Sequence, residues 1–190
     1  MSVKSILIVG VGGQGTLLAS KIMGRVYLSE GYDVKVSEVH GMSQRGGSVV
    51  TYVRYGDKVW SPVIEKGEAD MIISFEQLES ARWLSYLKPD GILISSTQKL
   101  DPAPVIMGKA EYPKDILKRI SELGVKVLSL EADSLAEKAG NIKSANMVLL
   151  GAAAKRQEIA KDVWLDAVAA FVPPKTVETN LKAFELGYGI

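Results

Sequence analysis

The stretch ILIVGVGGQGTLLASKIM, residues 6–23, decides the fold, because an apolar run enters a cluster of glycines and a helical pattern leaves it. The run over 3–9 is short and rich in β-branched residues, which is typical of a buried parallel strand. Apolar residues then recur at helical spacing, so we predict a helix over 16–30 that Gly31 stops. An alternating segment over 33–39 predicts a second strand and completes a βαβ unit.

Beyond this unit the chain alternates between strands and helices around one β-rich interruption. Residues 48–64 predict two strands that form a hairpin around Gly56-Asp57, since this pair fits a turn with positive φ at its first position. Further strands are predicted over 71–75, 92–96 and 125–130. Helices are predicted over 76–87, closed by Pro89 and Gly91, and over 113–124, 164–171 and 175–186.

These elements predict an α/β fold. We expect a single doubly wound, mostly parallel, Rossmann-like sheet with an inserted β-hairpin and a helical C-terminal third. With 190 residues and no convincing linker, the chain should form one domain over 1–190. The segment SANMVLLGAAAKR, residues 144–156, is apolar on nearly all sides and should therefore be buried.

The composition excludes several kinds of site. The chain has 23 basic and 22 acidic residues, so it lacks the basic footprint of a protein that binds nucleic acid or an anionic membrane. It has no cysteine, which excludes disulfides, thiolate nucleophiles and iron–sulfur ligation by this chain. Without a signal-peptide pattern, or a run of the roughly 20 apolar residues that span a membrane, we expect a cytoplasmic protein.

The glycines match the pattern G-x-G-x-x-G at Gly10, Gly12 and Gly15, between a strand and a helix. Such a turn brings helix N–H groups and the helix dipole to an anion. Three interpretations stay open: contact with a phosphate or other anion, tight packing of the turn alone, and a complete dinucleotide site. The third would use Glu38, at the end of the second strand, to bind a ribose.

A second segment, SEVHGMSQRGGSV at 37–49, also follows a strand end and concentrates polar residues before two glycines. Strand ends on one side of an open sheet are where ligands bind, so this segment and the first loop should meet at one crevice. Arg45 could hold a phosphate or carboxylate, or could form a salt bridge between subunits. The candidate ligand-binding residues are Gly12, Gly13, Gln14, Gly15, Glu38, Ser43, Gln44, Arg45, Gly46 and Gly47. No acid, base, nucleophile or metal ligand can be assigned.

Four stretches, GVGGQGTLLASKI, DVKVSEVHGMSQRGGSVVTYVRYG, SPVIEKGEADMIISFEQLESARWLSYL and AFELG, occur in this order along the chain. Together they resemble the gamma subunit or domain of the 2-oxoacid:ferredoxin oxidoreductases, and most closely the beta subunits of the indolepyruvate type. The resemblance extends nearly from end to end. The first loop alone would not be specific, whereas the joint occurrence of the motifs is.

The resemblance implies a subunit of an enzyme that oxidatively decarboxylates a 2-oxoacid to an acyl-CoA, with ferredoxin as electron acceptor. Thiamine diphosphate, Mg²⁺ and [4Fe-4S] clusters would then belong to a larger partner subunit, and CoA would be a co-substrate. This chain has no Gly-Asp-Gly and no cysteine, which agrees with that division. It would complete the active-site crevice and the approach for CoA. Whether the isolated chain forms a homodimer stays open.

Two other functions remain under consideration. The fingerprint over Gly10–Gly15 with Glu38 could belong to an independent NAD-dependent dehydrogenase, although no separate substrate domain of adequate length follows. Alternatively, the chain could be a non-catalytic scaffold or binding module. Turnover by the partner without this chain would distinguish the scaffold from the active-site subunit.

Overall fold

Six strands of the described residues form one mixed sheet in a computed structural model, which describes residues 2–40 and 47–190, with only the backbone of His40. In chain order they are β1 (Lys4–Val11), β2 (Asp33–His40), β3 (Ser48–Gly56), β4 (Ala69–Ser74), β5 (Leu87–Ser96) and β6 (Lys126–Leu130). Their order across the sheet is β2-β3-β1-β4-β5-β6. Only β3 runs against the others, since it pairs antiparallel with both β1 and β2.

Helices connect and cover these strands. They are α1 (Thr16–Ser29), α2 (Gln77–Trp83), α3 (Ala103–Ile106), α4 (Ile116–Glu122), α5 (Ala132–Ala139), α6 (Ala145–Ala154), α7 (Lys161–Phe171) and α8 (Val177–Tyr188). Short 3-10 turns follow α2 and precede α6 and α8. The α/β sheet and the helical C-terminal third predicted from the sequence are therefore confirmed.

The sheet separates two apolar cores, and alternate side chains of β1 point into one core or the other. Ile6 and Ile8 point into the larger core, which α1 and the helices α5–α8 complete. Leu7 and Val9 point into the smaller core, which α2 and α4 complete. Because successive strand residues face opposite sides, the sheet is covered on both faces, as in other doubly wound folds.

The buried position of α6 explains its uniformly apolar sequence. All its residues except the first are buried, and it packs against α8. At Gly151 an added Cβ would lie 2.0 Å from the carbonyl oxygen of Phe184, so only glycine permits this approach. The last third of the chain therefore seals one face of the sheet.

The predicted hairpin around Gly56-Asp57 is wrong. β3 ends at Gly56, and residues 57–68 form no strand. Side chains from the sheet anchor this segment instead: Asp33 accepts a hydrogen bond from Val59 N, at 2.9 Å. The antiparallel partners of β3 are β2 and β1, so the interruption is one inserted antiparallel strand within the sheet.

The boundary between the helix predicted over 76–87 and the next strand is also different. α2 ends at Trp83, and β5 begins at Leu87, so Pro89 and Gly91 lie inside a strand instead of ending a helix. The β4–β5 pairing shifts register between Ala69 and Met71, next to this start. An irregular strand end accommodates proline and glycine where a regular ladder would not.

Candidate functional site

The glycine loop, residues 12–15, leaves the carboxyl end of β1 and enters α1. Gly13 and Gly15 have φ of 105° and 85°, which side chains rarely adopt, so the turn requires glycine at both positions. Gly15 is the N-cap of α1, without a side chain that caps the helix, and the first turn contains no acidic residue. The first N–H groups of α1 are therefore available to an anionic group.

The glycine loop meets the second predicted segment through one backbone hydrogen bond. Gly12 N donates to the carbonyl oxygen of Gly47 at 2.9 Å. The two segments therefore meet at the carboxyl end of β1, and that they line one ligand crevice stays a prediction. Four candidates on that segment lie outside the described residues: Ser43, Gln44, Arg45 and Gly46.

Glu38 lies on β2, beside the glycine loop. Its half-buried side chain lines a cavity of about 380 Å³ together with Gly12, Thr16 and Val49. Glu38 and the glycine loop therefore line the same cavity, as the sequence predicts. That Glu38 contacts a ligand stays a prediction.

The side chain of Gln14 holds the glycine loop to the sheet. Its Oε1 accepts from Val11 N at 2.6 Å, and its Nε2 donates to the Phe75 carbonyl oxygen at 3.0 Å. The same Nε2 donates to Oε1 of Gln98. Its polar atoms are therefore used within the chain, which indicates that Gln14 builds the loop more than it binds a ligand.

From Gln98 the hydrogen bonds continue to α5. Gln98 Nε2 donates to Oδ2 of Asp133 at 2.9 Å. Partial burial is the main cause that raises the pKa of Asp133, and the charge of Glu137 adds to it, whereas the bond from Gln98 acts in the opposite direction. We call Gln14, Gln98 and Asp133 the loop network.

The loop network borders a cavity with a volume of about 570 Å³. It lies where the carboxyl ends of β1, β4, β5 and β6 approach the start of α6. Its polar lining includes Gln98, Asp133, Lys143 and Asn146, and its apolar lining includes Leu18, Phe75 and Leu149. A cavity of this size, apolar with a few placed polar groups, suits a small organic ligand.

Sequence reasoning missed four of these residues: Gln98, Asp133, Lys143 and Asn146. Gln98 lies two residues after the end of β5, and Asp133 lies in the first turn of α5, three residues after the end of β6, so the rule that ligands bind at strand ends could have found them. Asn146 is the one amide in the apolar run of α6, and a lone polar residue in a buried helix is a signal that polar contacts occur there. Lys143 has no comparable signal.

A second group of polar residues surrounds the start of α2. Glu76 caps α2 by accepting from Glu79 N at 3.0 Å, and also accepts from Leu100 N and the Tyr112 hydroxyl. Glu79 accepts from the Ser48 hydroxyl, and Arg82 forms an ion pair with it at 3.1 Å. We call Ser48, Glu76, Glu79 and Tyr112 the acid network.

The acid network has the features of a satisfied core. Glu76 and Glu79 are only 1% and 4% exposed, and both carboxylates are hydrogen-bonded. Burial, and then the hydrogen bond to Glu76, raise the pKa of Tyr112. The network also fixes Ser48, the first residue of β3, which lies near the end of the second predicted segment.

The chain does not fit the cofactors of the family that it resembles. It has no cysteine and no Gly-Asp-Gly. Within residues 2–40 and 47–190, no three His, Asp or Glu side chains come together as a metal site would require. No step through such a group can therefore be derived from this chain. None of the described helices is both long and apolar enough to cross a bilayer.

Comparison with known proteins gives a family match over nearly the whole chain. Residues 5–190 match the family described as pyruvate ferredoxin/flavodoxin oxidoreductase. The chain is similar to the indolepyruvate oxidoreductase subunit IorB of Thermococcus kodakarensis, with 43% identity over 96% of this chain and 93% of that subunit.

Two solved structures share the fold. The gamma subunit of a keto/oxoacid ferredoxin oxidoreductase from Geobacter sulfurreducens has a TM-score of 0.73 and 24% identity, over 98% of this chain and 96% of that one. The 2-oxoglutarate:ferredoxin oxidoreductase of Magnetococcus marinus, solved with 2-oxoglutarate, coenzyme A and succinyl-CoA, has a TM-score of 0.77 and 18% identity, and this chain covers 31% of its length. With the match over residues 5–190, the chain belongs to the pyruvate ferredoxin/flavodoxin oxidoreductase family.

Proposed function

We propose that this chain is the small subunit of a 2-oxoacid:ferredoxin oxidoreductase of the indolepyruvate type. The observation that carries the proposal is the 43% identity to an indolepyruvate oxidoreductase subunit, which extends over 96% of the chain. The reaction converts an aryl pyruvate and CoA to an acyl-CoA and carbon dioxide, and two electrons pass to ferredoxin. Nothing in the comparisons supports the independent NAD-dependent dehydrogenase.

The whole chain, 1–190, acts as one gamma-type domain beside a larger subunit. That larger subunit carries thiamine diphosphate, Mg²⁺ and the [4Fe-4S] clusters, since this chain contributes no cysteine to a cluster. The complex works in the cytoplasm. The enzyme therefore depends on an interface between the two chains.

The contribution of this chain is to complete the crevice through which CoA reaches the reaction. Three features support this role: the uncapped start of α1, the positive φ of Gly13 and Gly15, and the contact of Gly12 with Gly47. In the sequence, Arg45 comes between β2 and Gly47, and it supplies a cation for a phosphate or carboxylate. In this role the glycine loop belongs to a shared active site.

Purification of a tagged copy with its larger subunit, without oxygen, tests the proposal. We expect a brown complex that reduces a viologen dye when indolepyruvate and CoA are both present, with lower kcat/KM for pyruvate and 2-oxoglutarate. The larger subunit prepared alone is the control and should lose this activity. A colourless chain that copurifies with no cysteine-rich partner would contradict the proposal.

The Arg45→Ala variant tests the role of the second segment in the same complex. We expect the KM for CoA to rise while assembly and the visible spectrum stay unchanged. Lys21→Ala, on the exposed side of α1, removes a cation elsewhere and is the matched control. An unchanged KM for CoA in Arg45→Ala would remove this residue from the CoA approach.

A further inference from the structure

One face of the sheet is open over β2 and β3. Tyr52 of β3 packs against the smaller core, whereas the next residue, Val53, points into the larger core. Among residues 2–40 and 47–190, α1 is the only helix that packs extensively against β2 and β3, and it lies on the side of the larger core. A doubly wound sheet is normally covered on both faces, so this half of one face lacks a helical cover.

Aromatic and apolar side chains occupy the open face. Tyr52, Trp83 and Tyr86 are half-buried, and the rings of Trp83 and Tyr86 lie 5.1 Å apart. Partial burial first, and the neighbouring Tyr86 second, raise the pKa of Tyr52, which places these two side chains next to each other. We call the following residues the aromatic face: Val39, Tyr52, Trp60, Val63, Trp83 and Tyr86.

Trp60 projects from the aromatic face on a fixed backbone. Its side chain is 87% exposed, although the preceding residue, Val59, is buried. Nη1 of Arg54 donates to the carbonyl oxygens of Ser61 and Val63, at 3.2 and 2.8 Å, and so holds the chain after Trp60 to β3. An aromatic side chain that is already held in place loses little conformational entropy when a partner binds it.

The ion pairs around the aromatic face expose their cations more than their acids. Lys35 and Lys58 both pair with Asp33, which is less exposed than either lysine and also accepts from Val59 N. The exposed Arg82 pairs in the same way with the buried Glu79. Through these pairs the rim of the face presents positive charge, which complements an acidic rim on a partner.

The aromatic face is continuous with the contact between the glycine loop and the second predicted segment. Trp83 Nε1 donates to Oε2 of Glu79 at 3.3 Å, and the Ser48 hydroxyl donates to the same oxygen. Next to Ser48, the carbonyl oxygen of Gly47 accepts from Gly12 N. A protein that covers Trp83 therefore borders the crevice that this chain would share with its larger subunit. This continuity favours the larger subunit over a second copy of the chain.

The chemistry of the face is that of a protein interface. Tryptophan, tyrosine and arginine are enriched at the centres of such interfaces, where a few side chains carry most of the binding energy. A small ligand needs a concave site on this chain, whereas a tryptophan that projects into solvent needs a pocket on a partner.

We propose that the aromatic face binds the larger subunit, with Trp60 as the anchor and an acidic rim of that subunit opposite Lys35, Lys58 and Arg82. The inference rests on the proposed function for the identity of the partner. It adds which surface of this chain holds the complex together.

Dissociation of the two-subunit complex on dilution, without oxygen, tests the face. Mass photometry measures the fraction of intact complex and gives its Kd. We expect Trp60→Ala to raise the Kd about 30-fold or more, as removal of an aromatic anchor does, and Trp60→Tyr to retain most of the affinity. Leu28→Ala is the control, because it removes an exposed apolar side chain from α1, on the covered face, and should leave the Kd unchanged.

The charged rim has its own test. We expect Lys58→Gln to raise the Kd about three-fold at low salt and to reduce the weakening of the complex by added salt, since it removes one cation from the rim. Lys138→Gln, an exposed lysine on α5, is the matched control and should behave as the wild type does. The melting temperature of each variant chain checks that its fold is intact.

The outcomes separate this inference from the proposed function. A complex that forms and turns over, with the same Kd in wild type and Trp60→Ala, would refute the aromatic face and leave the enzyme assignment intact. A chain that assembles with no larger subunit would refute the enzyme assignment, and the proposed occupant with it. A dimer of the isolated chain that Trp60→Ala separates, while the two-subunit complex stays intact, would make a second copy the occupant and overturn the proposal.

Discussion

The acid network and the loop network differ in their surroundings: the acid network is buried around the start of α2, whereas the loop network borders a cavity at the carboxyl ends of the strands. In the acid network the carboxylates of Glu76 and Glu79 are almost fully buried and hydrogen-bonded. In the loop network, Gln98 and Asp133 border a space of about 570 Å³. The difference teaches that a cluster of polar groups indicates a site only when some of them face open space, since paired and buried groups hold the fold.

The largest expected effect comes from breaking the acid network. Glu76→Ala removes the cap of α2 and leaves Glu79 N, Leu100 N and the Tyr112 hydroxyl without their acceptor. We expect the free energy of unfolding to fall by about 3 kcal/mol, from the lost cap and the unpaired buried donors. Urea unfolding measures this loss.

Tyr112→Phe is the control for that variant, because it removes one donor and leaves the carboxylate. It should cost about 1 kcal/mol. If Glu76→Ala is as stable as Tyr112→Phe, the acid network does not hold the fold in the way described. The KM for CoA should stay unchanged in every variant of this network that folds.

The next largest effect tests the close contact between Gly15 of the glycine loop and Asn146 of α6. Gly15→Ala places a Cβ at φ 85°, 2.7 Å from Asn146 Nδ2. Gly124→Ala has nearly the same φ, 84°, but no atom within 4 Å, so it reports backbone strain alone. We expect a loss of about 1–2 kcal/mol at Gly124 and a larger loss at Gly15.

The melting temperatures of the two alanine variants test this ordering. CoA binding adds a second readout, since only Gly15→Ala should displace Asn146 and weaken CoA. Equal destabilisation at the two positions would show that the Gly15 contact relaxes at little cost.

A smaller effect is expected from the loop network itself. Gln14→Ala leaves Val11 N and the Phe75 carbonyl oxygen without their partner and should cost about 1–2 kcal/mol. Gln14→Glu keeps the acceptor for Val11 N but turns a carboxylate oxygen toward two acceptors, the Phe75 carbonyl oxygen and Gln98 Oε1, so its loss of stability should be at least as large. Both variants should raise the KM for CoA, because the loop is no longer held to the sheet. If the KM stays at the wild-type value, Gln14 does not position the glycine loop.

The core of the fold could be predicted from local sequence because its signals are local. The predicted helix over 16–30 is observed as Thr16–Ser29, since apolar spacing and a stopping glycine are both short-range features. The segment after Gly56 was predicted wrongly because its structure depends on contacts with distant residues. Val59 is buried, but Trp60 is 87% exposed, and Arg54 donates from β3 to the carbonyl oxygens of Ser61 and Val63. Distant side chains satisfy this backbone, and no local pattern reveals them.

The candidate site divides in the same way. Gly12 and Gly47 could be placed together because the ends of neighbouring strands meet at one edge of a sheet. Asn146 could not, because its approach to Gly15 depends on how α6 packs across the sheet, which no residue near it encodes. Gln98 and Asp133 are intermediate: the strands that precede them, β5 and β6, could be predicted, but the hydrogen bond between the two side chains could not.

The smallest effect concerns the charge of Asp133. Burial raises the pKa of this carboxyl, so its contribution to stability is fully present below the ordinary carboxyl pKa of 3.8 and is lost as pH rises through the higher pKa of the folded state. Over the same rise a negative charge appears in the lining of the cavity. CoA binding should therefore weaken as pH rises through that range, since both groups are anionic.

Asp133→Asn keeps an acceptor for Gln98 and removes the charge. We expect it to tighten CoA binding about two-fold near pH 7, a size typical of partly screened charges, and to remove this part of the pH dependence. Asp90→Asn makes the same charge change at an exposed position of β5 and should alter neither quantity. Titration of CoA across pH compares the variants. Identical profiles for wild type and Asp133→Asn would place the ligand away from the loop network. The loop network would then resemble the acid network, because both would only stabilise the fold.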